Sequence, residues 1–187
     1  KNGNTTPSGH SFFYPGIHFI ILSVLKWIGM TEPQSKMYVV RLLHALLSLI
    51  VVIDGYRITE KLSNRNTARI AGLLLASYWF MPFLSVRNLV EWVSIPFLVL
   101  MCWWIVKRDE NSKTSAQYFI AGLFGGMAMC VRFQSAIFVA GVLAALLLKQ
   151  KWKPLVISGI GVALFFGLEQ GISDYMIWGK PFVEFRE

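Results

Sequence analysis

The sequence predicts an all-α protein, a polytopic membrane bundle of about six spanning helices with one further interfacial helix. Two observations carry this prediction. Of the 187 residues, 55% are hydrophobic and only 15% are charged, whereas a soluble domain has about 25% charged residues. The apolar residues also lie in long runs, close to the length of about 17–25 residues that a spanning helix needs. These runs are apolar on nearly every side, unlike the helices of a soluble bundle.

Six of these runs are predicted to span the membrane. They are 38–56, 70–86, 89–106, 117–131, 133–148 and 154–172. The fourth and fifth runs meet at Arg132, either as two spans joined by a tight turn or as one kinked pair. A shorter run, 16–30, carries Lys26 and is predicted to be an amphipathic helix at the outer surface that ends at Glu32 and Pro33.

This reading divides the chain into three parts. Residues 1–37 belong to a first external loop, residues 38–172 form the bundle, and residues 173–187 begin a further external region. An external loop needs a span before it, so we expect the chain to be a piece of a longer protein whose first span lies upstream of Lys1.

The net charge of +8 is explained mostly by topology. Ten of the 18 Lys and Arg residues lie in three short loops, 56–69, 107–116 and 149–153. These loops alternate with turns that are nearly free of charge, which the positive-inside rule assigns to the cytoplasm and the outside, respectively. We therefore expect no nucleic-acid partner. The expected location is integral and multi-pass, in a bacterial cytoplasmic membrane or the endoplasmic reticulum, with the active face periplasmic or lumenal.

Three arginines lie where this topology does not place cations. Arg41, Arg87 and Arg132 all fall at the outer mouth of the predicted bundle. The planar guanidinium group can bind two phosphate oxygens at once, so the three favour a lipid-phosphate site. The alternative is that each one reaches the headgroups or pairs with a carboxylate.

Carboxylates near the outer mouth are the other candidates, because ionisable groups within spans are costly. Glu91 lies one turn after Arg87 and is either its structural partner or an acid at the site. Asp174 is preferred to Glu169, although either one can simply face water or cap a helix. Asp54, beside a basic loop, is interpreted as structural.

Other polar residues carry weaker signals. The spacing of His10, His18 and His44 is not that of a zinc site, so structural roles are expected and no metal site is predicted. A face of small residues in the fourth run predicts close helix packing. Its members are Ala121, Gly122, Gly125, Gly126 and Ala128.

Four short motifs resemble those of glycosyltransferase family 22, within the GT-C superfamily of multi-pass glycosyltransferases. HSFFYP at 10–15 is similar to R-S-x-x-Y-P, with His10 in place of arginine. RNL at 87–89 is similar to R-T-L, and Glu91 stands where the family has Asn. RFQSA at 132–136 is similar to R-P-T-x-A, and DYMIWGKP at 174–181 to D-x-x-x-Y-G.

The resemblance implies an inverting mannosyltransferase that moves a sugar from a polyprenyl- or dolichyl-phosphate donor to a glycan or glycolipid acceptor. It implies that the main catalytic Asp lies upstream of Lys1, which leaves Glu91 and Asp174 as the acidic candidates here. No cofactor is certain, and a divalent cation is one option. The lipid-phosphate candidates are Arg41, Arg87 and Arg132, and the substrate-loop candidates are His10, Ser11, Tyr14 and Gln134.

Two other classes of function remain open from the sequence. In a transporter or flippase of an anionic or lipid-linked substrate, the same charges would line a pathway. That reading expects repeated, broken helices, and the sequence shows no internal repeat. A non-catalytic scaffold subunit is the third reading, and it would be favoured by the absence of any acid from the upstream loop.

Overall fold

A computed structural model describes residues 13–77, 90–107 and 115–178, which form helices and the turns between them without any strand. The all-α prediction is confirmed for these ranges. The helices are α1 (Phe13–Trp27), α2 (Pro33–Leu62), α3 (Arg65–Ser77), α4 (Val90–Val106), α5 (Ser115–Val131), α6 (Ala136–Leu148) and α7 (Trp152–Trp178), with a 3₁₀ turn at Phe133–Ser135.

Helix α1 is a separate short helix, as the sequence predicts, but it ends earlier than expected. Gly29 has a φ of 93°, a left-handed conformation that glycine adopts without strain. The Met30 N–H donates to the Leu25 carbonyl at 3.0 Å, which closes the helix end. The predicted stop at Glu32 and Pro33 is wrong. Pro33 instead begins α2, because its fixed φ and missing N–H suit a first helical position.

Two helices are long and apolar enough to cross a membrane. They are Pro33–Leu62 and Trp152–Tyr175, and four shorter apolar helices lie among the described residues. The predicted spans 70–86 and 89–106 fall partly outside the described residues. The fourth and fifth runs form two helices, because Arg132 adopts an extended backbone before the 3₁₀ turn. Whether these helices are two spans or one kinked pair stays a prediction.

Helices α5 and α7 make the closest packing in the bundle, and the predicted small-residue face lies between them. Gly122 of α5 meets the backbone of Ser158 and Gly161 of α7. The Ser158 hydroxyl donates to the Tyr118 carbonyl at 3.0 Å. Further along, Cys130 lies beside Glu169, so the two helices run parallel. The prediction of close helix packing is confirmed.

Helices α2 and α4 are joined near their carboxyl ends by a cation–π contact from an ion-paired arginine of α2. Asp54 is buried and accepts a hydrogen bond from Arg57 at 3.1 Å. The Arg57 guanidinium lies over the Trp103 ring of α4, 5.8 Å from its centroid. This geometry fits the structural role expected for Asp54.

The polarity of α7 is opposite to that of a helix on the surface of a soluble protein. A stripe of large apolar side chains at every fourth position is 45–58% exposed, while Ser158, Gln170 and Asp174 on other faces are buried. Such an outward apolar surface suits lipid, in which helices associate through small and polar residues. The stripe consists of Val156, Ile160, Leu164, Leu168 and Ile172.

The α5–α7 contact makes a direct prediction about stability. A Cβ added at Gly122 would overlap the Ser158 carbonyl oxygen, whereas one added at Gly159 of α7 meets nothing within 4 Å. We expect Gly122→Ala to lower the free energy of unfolding by about 1–3 kcal/mol, as overpacking does. Gly159→Ala, the matched control, should leave stability unchanged or slightly higher. Thermal unfolding in detergent measures both, and equal melting temperatures would contradict the packing described here.

Candidate functional site

The turn after α5, which holds the predicted site residues Arg132 and Gln134, lies against α7. The Phe133 ring, in the turn after α5, lies 6.1 Å from the Phe166 ring of α7. From the other side, the Phe13 ring of α1 packs edge-on against Phe165 at 6.0 Å. These aromatic contacts hold the turn and the start of α1 against the middle of α7, which continues past them to Trp178.

Arg132 and Gln134 are brought together in the turn. The Arg132 Nε–H donates to the Gln134 side-chain oxygen, and the Ser135 N–H donates to the Arg132 carbonyl at 2.9 Å. The guanidinium is therefore oriented by its own turn, and Arg132 is half-buried. A fixed, half-buried guanidinium suits an anion because little side-chain entropy is lost on binding.

Asp174 is fully buried, so the alternative that it faces water is wrong. It lies inside α7, where its Oδ1 accepts a hydrogen bond from Gln170 Nε2 at 3.2 Å. Its Oδ2 is buried and has no hydrogen-bond partner among the described residues. A buried carboxylate with one such partner is energetically costly, and this cost marks Asp174 as a candidate for binding a ligand.

Glu169 has a different environment from Asp174. It accepts a hydrogen bond from the Ser173 hydroxyl at 2.9 Å, and it lies beside the buried Cys130 thiol of α5. These contacts tie Glu169 to the packing of α5 against α7. The sequence preference for Asp174 as the functional carboxylate fits this difference.

Tyr14 anchors α1 to α2. Its hydroxyl lies 3.1 Å from His44 Nε2, and its ring lies 4.3 Å from the His18 ring. Burial raises the pKa of the Tyr14 phenol, so the hydroxyl is protonated at neutral pH and donates to His44. The sequence motifs predicted Tyr14 as a site residue but did not predict its contacts with His18 of α1 and His44 of α2.

Two cavities lie between the helices. One, of about 310 Å³, lies between α2, α3 and α4 and is apolar apart from His44 and Ser48. The other, of about 440 Å³, is an open groove between α1 and α7 with Glu169 and Ser173 in an otherwise apolar wall. Phe13, Gly16, Ile17, Ile20, Phe165, Leu168 and Ile172 form that wall.

The other sequence candidates are Arg41, His10, Ser11, Arg87 and Glu91. Arg41 is exposed, although it lies one turn from the buried His44. His10, Ser11 and Arg87 lie outside the described residues, as does the side chain of Glu91. Within the described ranges, no group of three His, Cys, Asp or Glu residues could hold a metal ion.

Comparisons with known proteins agree with the resemblance found in the sequence. The Alg9-like mannosyltransferase family matches residues 5–186. The chain is also similar to the human protein named GPI alpha-1,2-mannosyltransferase 3, with 24% identity over 108 residues, 58% of this chain. The matched part spans about a fifth of that relative, 20% of its length. No solved structure matches the chain. Since the family match covers nearly the whole chain, the chain belongs to the Alg9-like mannosyltransferase family.

Proposed function

We propose that the protein containing this chain is an inverting mannosyltransferase of the membrane. It moves mannose from a polyprenyl-phosphate donor to a hydroxyl of a glycan or glycolipid acceptor. The observation that carries this proposal is the family match over residues 5–186. Nothing in the match or in the packing of the described helices favours the transport alternative.

The reaction exchanges one bond for another and needs a base and a set of cations. The acceptor oxygen forms a bond to the anomeric carbon while the bond from that carbon to the phosphate oxygen breaks. A base takes the acceptor proton, and cations stabilise the negative charge that develops on the departing lipid phosphate. The base is assigned to an Asp before Lys1, and the cations are assigned to Arg132 and Arg87, with Arg41 in a supporting role.

Arg132 has the environment that this role requires. Its guanidinium is held by Gln134, and the neighbouring Phe133 contacts Phe166, next to Phe165 in the wall of the α1–α7 groove. We assign the polyprenyl chain to this groove, because its apolar wall suits an isoprenoid. Asp174 and Glu91 then orient the acceptor, a cation or the arginines.

The proposed orientation places six spans across the membrane with the basic loops in the cytoplasm. Two described contacts support this. Lys107, at the end of α4, lies over the Trp104 ring at 4.6 Å, and Arg57 lies over Trp103. Aromatic and basic side chains at one level of a bundle are typical of a membrane interface.

The two ends of α2 test the orientation. Thr31 precedes α2 and Ser63 follows it, and both residues are exposed. Each can be replaced by cysteine with little change in size. In sealed vesicles whose lumen corresponds to the cytoplasm, we expect Thr31→Cys to react with a membrane-impermeant maleimide and Ser63→Cys to react only after permeabilisation. The unsubstituted protein, whose Cys130 is buried, is the control. The same labelling of both variants before permeabilisation would contradict the orientation.

Removal of the phosphate-binding cations should abolish most of the activity. We expect Arg132→Ala to lower kcat/KM for mannose transfer from polyprenyl-phosphate-mannose by about 100-fold, the lower end for loss of one charge-stabilising group. Arg132→Lys should retain part of it, and Arg87→Ala with Arg132→Ala should lower it further. The control is Arg69→Ala, an exposed cation of α3. Full activity of the double variant would disprove the role of these arginines.

Asp174→Asn separates a functional carboxylate from a structural one. The amide has the same shape and can still pair with Gln170, so we expect the melting temperature to be kept. The activity should fall by about 100-fold, the scale of loss when a reacting group is mispositioned. Glu60→Gln, which changes an exposed carboxylate of α2, is the control and is expected to retain activity. An Asp174→Asn variant as active as the original protein would remove Asp174 from the site.

A further inference from the structure

Tyr14, His18 and His44 form a compact polar cluster where α1 meets α2. The two imidazole ring centroids lie 5.4 Å apart, and the Tyr14 ring lies 4.3 Å from His18. Tyr14 and His18 are one helical turn apart, so they share a face of α1, and His44 faces them from α2 as a buried residue. The function proposed above uses neither histidine.

The hydrogen bonds of the two histidines assign the same tautomer to both. His44 Nδ1 lies 2.7 Å from the Val40 carbonyl oxygen, and His18 Nδ1 lies 3.1 Å from the Tyr14 carbonyl oxygen. A carbonyl oxygen only accepts hydrogen bonds, so each Nδ1 carries the proton and donates it. Each Nε2 therefore presents a lone pair.

The two lone pairs have different environments. His44 Nε2 accepts the Tyr14 hydroxyl hydrogen at 3.1 Å. His18 Nε2 is buried and has no hydrogen-bond partner among the described residues. A buried acceptor without a donor is destabilising, so the His18 lone pair is available to a ligand that enters the cluster.

Metal-binding histidines commonly have Nδ1–H held by a backbone carbonyl while Nε2 binds the ion, and His18 has this arrangement with Nε2 free, whereas His44 Nε2 accepts from Tyr14. Two imidazoles bound to one tetrahedral ion, with bonds of about 2.0–2.1 Å, place their ring centroids about 5 Å apart. Neighbouring ligand atoms around such an ion are about 3.3 Å apart. The 5.4 Å between the rings and the 3.1 Å between the Tyr14 oxygen and His44 Nε2 both agree with these values.

We propose that Tyr14, His18 and His44 bind one divalent transition cation of the zinc type, which links α1 to α2. The ligands are the two Nε2 atoms and the phenol oxygen, and a fourth position remains for water. Imidazole nitrogen suits zinc among the common divalent ions. On binding, the Tyr14 oxygen exchanges its hydrogen bond to His44 for a bond to the cation, and the phenol proton is released to solvent.

The test is zinc binding to the full-length protein, purified in detergent without a polyhistidine tag and stripped with a chelator. We expect one equivalent of Zn²⁺ per chain, and X-ray absorption should show nitrogen and oxygen ligands at about 2.0–2.1 Å. His18→Phe, which keeps an aromatic ring beside Tyr14, should weaken zinc binding by about 100-fold or more. Even the loss of a residue that only hydrogen-bonds to a metal ligand lowers metal affinity by about 10- to 100-fold. Tyr14→Phe should weaken it by about 10-fold. Tyr38→Phe, an exposed tyrosine of α2, is the control.

Two results would overturn the proposal. One is that the stripped protein binds no added Zn²⁺, and the other is that His18→Phe and His44→Phe bind Zn²⁺ as tightly as the original protein. Circular dichroism and thermal unfolding of each variant identify a loss of binding caused by misfolding, and a folded His18→Phe is sufficient for the comparison. The zinc measurement uses no sugar donor, so its result is independent of whether the protein transfers mannose.

Discussion

The close approach of α5 and α7 is the constraint on which the rest of the structure depends. Gly122 and Gly161 lack side chains at the crossing, so the two backbones come into direct contact, and the Ser158 hydroxyl bonds to a carbonyl of α5. Because the helices run parallel from this point, the end of α5 meets α7 near Glu169. That register sets the turn with Arg132 against the middle of α7 and leaves the last turns of α7, with Asp174, beyond it.

The same packing explains why polar groups are buried while large apolar groups face outward. In lipid there is little hydrophobic force between helices, so van der Waals contact between small residues and internal hydrogen bonds hold the bundle together. The interior therefore accommodates Ser158, Gln170 and Asp174. An unpaired carboxylate oxygen there has a large electrostatic effect because the local dielectric constant is low.

The sequence was sufficient to predict features that depend on one helix. The helical class, the small-residue face of α5 and the separate α1 follow from the order of apolar and small residues. The end of α1 was misplaced because Gly29 and Pro33 both interrupt helices, and only the backbone shows that the first ends a helix and the second begins one. The burial of Asp174 and the pairing of Tyr14 with His44 depend on contacts between helices, which a helical period does not specify.

The Tyr14–His44 hydrogen bond also fixes the tilt of α1. Gly29 lies 15 residues from Tyr14 and 15 residues from His44. Two stretches of chain, each about 22 Å long if helical, therefore start at this turn, and their far ends are within hydrogen-bonding distance. The angle between α1 and α2 is therefore acute, and Phe13 packs on Phe165, halfway along α7. Helix α1 therefore leans back along α2 toward the middle of α7. Two residues of the outward apolar stripe of α7, Leu168 and Ile172, form part of the groove between α1 and α7, so this groove opens on the apolar outer surface of the bundle.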